Sequence, residues 1–315
     1  MLLSVFFILL SVVLFYSGTS LLVKGSSSLA LKTGISARVS GLTVVALGTA
    51  SPVLFVSMNA ALFGHGNIAI ANVIGSNIFN ICIILGISAI IAPLRPKMNL
   101  LKIGIPVLAL VTLGFMLLFA DRQISRFEGG ILLAGTALYT SLNIILSHRE
   151  KSNEGIDKYN QSLTISKMKW YWQVGMIVLG IGFLVAGSEI LLRGTVTIAR
   201  LSGAGETIIG LTIVAAATSF PLLVSTIVTA RKKEYNIAIG NVIGSNIINI
   251  LGIIGISSAL NPLSAIAISN IDLYVMLGVT FLLLPFFRTK YTMKRDDGIF
   301  MIGLYLIFIY YLWPK

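Results

Sequence analysis

Asn67-Ile68-Ala69-Ile70-Ala71-Asn72-Val73-Ile74-Gly75-Ser76-Asn77-Ile78-Phe79-Asn80-Ile81 returns later in the chain as Asn236-Ile237-Ala238-Ile239-Gly240-Asn241-Val242-Ile243-Gly244-Ser245-Asn246-Ile247-Ile248-Asn249-Ile250. The two stretches differ at two of fifteen positions, Ala71 against Gly240 and Phe79 against Ile248. The same offset of 169 residues carries Gly41-Leu42-Thr43 onto Gly210-Leu211-Thr212, Thr49 onto Thr218, Pro52 onto Pro221 and Pro93 onto Pro262. The chain is therefore an internal duplication, and whatever one half builds the other builds again.

Outside these stretches the sequence is apolar. Of 315 residues 11 % are charged and 56 % hydrophobic, against about 25 % charged in a soluble protein, and the mean hydropathy is +0.95. The charge-poor runs are long enough to cross a ~30 Å hydrocarbon core as helices. Candidate spans cover 2–23, 39–62, 68–92, 103–120, 129–147, 174–192, 207–229, 237–260, 271–287 and 298–313. A soluble enzyme is excluded, and the reading is an all-α integral membrane protein of ten transmembrane helices. No Asp, Glu, Lys or Arg occurs from Val39 to Leu94. One helix over that run would be ~84 Å long, so the chain must turn back, and Gly64-His65-Gly66-Asn67 has the turn chemistry.

Of the 23 Lys and Arg residues, 18 fall in the odd-numbered connections and five in the even ones and the C-terminus. By the positive-inside rule both termini lie outside. Each half has five spans, so the second half enters the membrane from the opposite side and the repeats are inverted. The units are 1–147 (helices 1 to 5), a cytoplasmic linker at 148–171, and 172–315 (helices 6 to 10). The first span has no basic residue before it and no Ala-x-Ala pattern, and reads as a retained helix, not a signal peptide.

The net charge of +12 is scattered between apolar runs and forms no basic face, so nucleic acid is not a partner. The partners are the lipid bilayer and small inorganic ions. Trp170, Tyr171 and Trp172 beside Lys167 and Lys169 mark an interfacial belt, as do Tyr305, Tyr310, Tyr311 and Trp313. The lone Cys82 supports no disulfide or thiolate metal site, and His65 and His148 form no Ser-His-Asp or Cys-His order. No cofactor is implied.

Inverted repeats place a substrate site near the midplane, where the halves meet. There the spans carry Gly48, Thr49, Ala50, Ser51 and Pro52, answered by Thr218, Ser219 and Pro221. Proline removes a backbone donor and frees carbonyls at membrane depth. A single Ser or Thr is readily explained as a hydrogen bond between helices. A primary amide at mid-span, as at Asn80 and Asn249, is costly unless paired or solvated, and a constellation repeated in both halves points to a site.

These residues are similar to a known pattern. Gly48-Thr49-Ala50-Ser51-Pro52 with Gly75-Ser76-Asn77-Ile78-Phe79-Asn80, and Ala217-Thr218-Ser219-Phe220-Pro221 with Gly244-Ser245-Asn246-Ile247-Ile248-Asn249, resemble the two alpha-repeats of the sodium/calcium exchanger family of cation/calcium antiporters. The resemblance covers essentially the whole chain and implies a secondary transporter working by alternating access, not an enzyme. It places the ion-binding threonines on Thr49 and Thr218, the site serines on Ser76, Ser219 and Ser245, backbone carbonyls near Ala46 and Ala215, and the amide of the third helix on Asn80. Size and the lack of a targeting segment suit the plasma (inner) membrane of a prokaryote.

The departures concern charge. Where the family has a glutamate after the motif proline, this chain has Val53 and Leu222; the position often acidic in the eighth helix is Asn249, and the serine after the first motif threonine is Ala50. Of the eleven acids only Glu189 falls inside an expected span and away from its very end, about one turn from the outer end and four residues before Arg193. Calcium takes six to eight oxygens, normally with several from carboxylates, whereas neutral oxygens suffice for potassium in channel filters. The expectation is a cation antiporter of altered selectivity, with Thr49, Thr218, Asn80 and Asn249 as metal ligands, carrying Na+ or another monovalent cation in place of Ca2+. The alternative is a non-transporting or regulatory paralogue with a sealed centre.

Overall fold

In hydrocarbon every backbone N–H must find its acceptor along its own segment, so apolar runs of this length fold as helices. The computed structural model describes residues 2–32, 46–95, 98–149, 169–202, 205–288 and 292–313. The helices are α1 (Leu2–Lys32), α2 (Ala46–Leu62), α3 (Gly66–Ile91), α4 (Met98–Leu118), α5 (Arg126–Arg149), α6 (Trp170–Ser202), α7 (Glu206–Arg231), α8 (Tyr235–Leu260), α9 (Asn270–Arg288) and α10 (Arg295–Leu312). Five of them, α1, α3, α6, α7 and α8, are long and apolar enough to cross a membrane, and 48–62, 102–118 and 270–285 are shorter apolar helices. Most of the expected linker at 148–171, and positions 39–45 of the second expected span, lie outside the described residues.

Helices α3, α7 and α8 are mostly buried, while α1 and α6 are mostly exposed and pack along each other at the periphery. Both peripheral helices run about ten residues beyond their expected ends, so Lys24 and Arg193 sit on exposed helix faces and not in loops. Long cationic side chains permit this, because their stems lie along apolar surface while the charge reaches water.

Contacts between the halves occur in pairs related by the 169-residue offset. Two short strands, β1 (Gln123–Ile124) and β2 (Leu263–Ser264), pair antiparallel with Ile124 opposite Leu263, and the equivalent positions form the bridge Leu94–Met293. A Cβ on Gly86 would meet the Gly298 carbonyl at 3.0 Å, and one on Gly255 would meet the Gly129 carbonyl at 3.2 Å. The start of α5 is capped through Ser125 and Glu128, and the equivalent pair Lys294 and Asp297 caps α10, the backbone N–H at the first position donating to the carboxylate at the second. Two halves of similar fold that pair through equivalent faces generate these contacts twice.

The prolines do not break their helices. Helices α2 and α7 continue through Pro52 and Pro221. Pro52 cannot donate to the carbonyl four residues back, and the Ser51 hydroxyl donates to that Gly48 oxygen instead, at 2.5 Å. The irregular backbone is elsewhere. Helices α3, α7 and α8 each contain a π-helical turn, at Asn80–Leu85, Gly210–Val214 and Asn249–Ile254. Such turns insert an extra residue and cluster at functional sites, and the first and third begin on the two amides singled out from sequence. The turn in α7 presses Leu211 so close to Gly75 that a Cβ there would overlap its carbonyl.

Candidate functional site

The two copies of the repeated stretch, on α3 and α8, meet in the core through their asparagines. Asn77 Nδ2 donates to the Asn246 backbone carbonyl at 3.2 Å, and Asn246 Nδ2 donates to the Asn77 carbonyl at 3.2 Å. Asn80 Nδ2 donates to Asn246 Oδ1 at 2.8 Å, and Asn249 Nδ2 donates to Asn77 Oδ1 at 2.9 Å. All four side chains are at most 1 % exposed. The spacing explains the grouping: residues three and four apart share a helix face, so Ser76, Asn77 and Asn80 look the same way, as do Ser245, Asn246 and Asn249.

A second pair of bonds ties these helices to the proline-containing ones. Thr218 Oγ1 donates to Asn72 Oδ1 at 3.1 Å, and the equivalent Thr49 hydroxyl to Asn241 Oδ1 at 3.4 Å. Thr218 also lies within bonding range of the Val214 and Ala215 carbonyls, at 2.9 and 3.2 Å. Asn72 Nδ2 in turn reaches the Val53 carbonyl at 3.3 Å and the Ser57 hydroxyl at 3.0 Å.

With the amide hydrogens used in this way, a set of buried oxygens remains. Asn80 Oδ1, Asn249 Oδ1, Ser76 Oγ, Ser219 Oγ and Ser245 Oγ have no hydrogen-bond partner. Four of these form two repeat-related pairs, and the fifth, Ser219, corresponds to Ala50 at the 169-residue offset. An unpaired buried polar group typically costs about 1–3 kcal/mol, so five in the core form a strained set that a bound cation or water would satisfy. Val53, Leu222 and Ala50, 2–4 % exposed, contribute buried hydrocarbon on α2 and α7.

The structure thus joins Asn80 and Asn249 at the contact of α3 with α8, and Thr49 and Thr218 to asparagines of the same two helices, with Ser76, Ser245 and Ser219 buried on α3, α8 and α7. Ala215 contributes a carbonyl already engaged by Thr218, and Ala46 is the first described residue of α2. Glu189 stands apart, its Oε1 2.5 Å from Arg193 Nη2 on an exposed face. Asp272 is the one charged side chain buried among the described residues, and its Oδ2 accepts from the backbone N–H and hydroxyl of Ser269 at the start of α9. No group of three or more His, Cys, Asp or Glu that could hold a metal occurs among the described residues. The oxygens at the crossing are neutral. Asn77, Asn246, Asn72 and Asn241 were not singled out from sequence as site residues, although their identity in both copies of the repeat was the available signal.

Comparison with known proteins agrees with the geometry. The family model described as sodium/calcium exchanger protein matches residues 3–145 and 172–313. The chain belongs to the sodium/calcium exchanger family. It is accordingly an integral, multi-pass membrane protein of an ion-antiporter family and not an enzyme. A protein of Alkalimonas amylolytica, CaxA, is 36 % identical over 286 residues, covering 90 % of this chain and 89 % of that one. The sodium/calcium exchanger MaX1 of Methanosarcina acetivorans is 30 % identical, with 96 % of each chain covered. Among solved structures, the sodium-calcium exchanger NCX_Mj soaked with 10 mM Na+ and 10 mM Sr2+ superposes with a TM-score of 0.69 at 30 % identity, covering 98 % of both chains.

Proposed function

We propose that this member of the exchanger family carries a monovalent cation, Na+ or one like it, by alternating access through a neutral oxygen cage formed by Asn80, Asn249, Ser76, Ser245, Ser219, Thr49 and Thr218. In this reading the ten helices all cross the membrane as two inverted five-helix repeats, 1–147 and 172–315 joined by a cytoplasmic linker, with both termini outside. The observation that carries it is the set of five buried, unpartnered oxygens on α3, α7 and α8, helices that with α2 carry no Asp or Glu apart from Glu206 at the first position of α7. A divalent ion there would lack compensating charge and face a desolvation penalty of many kcal/mol, which dipoles offset only in part. A monovalent ion is served by hydroxyl and carbonyl oxygens alone.

The Lys and Arg asymmetry supports the orientation. For the plasma membrane of a prokaryote, support comes from a relative in Escherichia coli named inner membrane protein YrbG, 30 % identical over 324 residues. A sealed, non-transporting centre would have no use for mid-span amides in both halves, so the retention of Asn80 and Asn249 favours a transporter. The test is ion flux into sealed vesicles holding the purified protein. Saturable uptake of Na+, K+ or Li+, with no calcium uptake driven by a sodium gradient, is the expected result. Strong sodium-driven calcium uptake by the unmodified protein would refute the selectivity.

A further inference from the structure

The geometry points to Asn77 and Asn246 as positioning residues that set the polarity of the cage, holding Asn80 and Asn249 with their oxygens, and not their amide hydrogens, toward the ion. This rests on reading the crossing of α3 and α8 as the cation cage.

A primary amide has an acceptor end and a donor end of nearly equal shape, and the torsion that exchanges them is broad and roughly two-fold. Asn80 or Asn249 alone would therefore present either end. The network removes the choice. A backbone carbonyl can only accept, so the Asn77 amide must turn its NH2 to the Asn246 oxygen, 3.2 Å away. Its second hydrogen faces Met276 Sδ at 4.0 Å. The Asn77 Oδ1 is thereby turned to Asn249, which must offer its NH2, at 2.9 Å. The Asn249 oxygen is left pointing away, buried and unpartnered.

The repeat does the same in the other direction. The Asn246 NH2 is fixed by the Asn77 carbonyl at 3.2 Å, its Oδ1 takes the Asn80 NH2 at 2.8 Å, and Asn80 Oδ1 is left free. Two carbonyl anchors therefore orient four amides, and the exposed ends are both acceptors. Asn77 and Asn246 act through their neighbours, since their own polar atoms are occupied. With either one lost, its dependent amide is free to turn, presenting a donor that repels a cation and attracts an anion.

The experiment is a comparison across two backgrounds, reading the rise in melting temperature of purified protein in detergent as NaCl, KCl or LiCl replaces choline chloride. Asn77→Leu in the native chain is expected to weaken apparent cation affinity at least about tenfold. In an Asn249→Asp background the same change is expected to weaken it less than about threefold, because a carboxylate presents oxygen whichever way it turns. Equal losses in both backgrounds would overturn the positioning role while leaving the cage intact. No response of the native protein to any of the three cations would overturn the cage and the positioning role together. Asn246→Leu against Asn80→Asp repeats the comparison through the other half, so the outcome does not depend on one variant folding.

Discussion

Val53→Glu combined with Leu222→Glu places two carboxylates on α2 and α7 directly after Pro52 and Pro221, and its consequences can be worked through in order. Both positions are buried, 3 % and 2 % exposed, so a glutamate placed there without a cation must be neutral at pH 7 or pay for a buried charge. Neutralising a carboxyl of ordinary pKa near 4.3 at pH 7 costs about 2.7 pH units at 1.36 kcal/mol each, or about 3.7 kcal/mol per site. Two such sites cost about 7 kcal/mol, a large part of the 5–15 kcal/mol typical of whole-protein stability.

The sign follows from the direction of the shift. A carboxyl whose folded pKa is raised binds more protons folded than unfolded, so the cation-free variant is more stable at pH 5 than at pH 7. Calcium opposes this at pH 7 by binding the ionised pair, offsetting about 2.7 kcal/mol of that cost at a hundred times its dissociation constant. The assay is thermal unfolding in detergent at pH 5 and 7 with and without calcium, alongside sodium-driven calcium uptake in vesicles. The double variant is expected to be destabilised at pH 7, rescued by calcium, and alone in taking calcium up. If the unmodified protein is stabilised by calcium to the same degree, the account of the missing carboxylates is wrong. If the cation-free variant is equally stable at both pH values, the two positions are wet and the cost was misjudged.

Three further outcomes are expected. Cation-dependent stabilisation of the unmodified protein is expected to be flat from pH 6 to 9, because the cage contains no group that titrates there; a pH-dependent midpoint would mean that a proton takes part. Gly75→Ala is expected to destabilise by about 1–3 kcal/mol or more, since its Cβ overlaps the Leu211 carbonyl and must push α7 away from α3; an unchanged melting temperature would mean the two helices are not held so close. Gly64→Ala is expected to cost about 1 kcal/mol, because Gly64 has φ +78° although nothing lies within 4 Å of the added methyl. Gly64→Asn is expected to cost less, asparagine being the residue after glycine that most readily takes this conformation, and a loss for Asn as large as for Ala would place the cause outside the backbone angle.

Much of the architecture was legible because its signals are local or periodic. Apolar run length marks a helix that lipid can accept, and the helices appear where the runs are. The turn at Gly64-His65-Gly66 was written in residue type, and it sits at Gly64 with its positive φ. Its counterpart Lys233, with φ +61°, was not legible, because only the repeat relation and no turn-forming side chain marks it. The Gly48 carbonyl that Pro52 frees at membrane depth is taken up by the hydroxyl one residue earlier. That substitution depends on a rotamer, which proline chemistry alone does not reveal.

The amino-acid sequence by itself determined that the chain is a duplicated membrane protein with polar residues at equivalent places in both halves, and that Val53, Leu222 and Asn249, none of them acidic, stand at three of those places. These facts reside in composition, spacing and self-similarity. Only the tertiary structure decided which amide faces which. The bonds joining Asn77 to Asn249 and Asn80 to Asn246 span 172 and 166 residues, and a hydrogen bond at such separation exists only once two helices cross at a particular height and rotation. The division of four asparagines, alike in sequence, into two that orient and two that are oriented comes from that crossing, because each amide's direction is dictated by an acceptor on the other half.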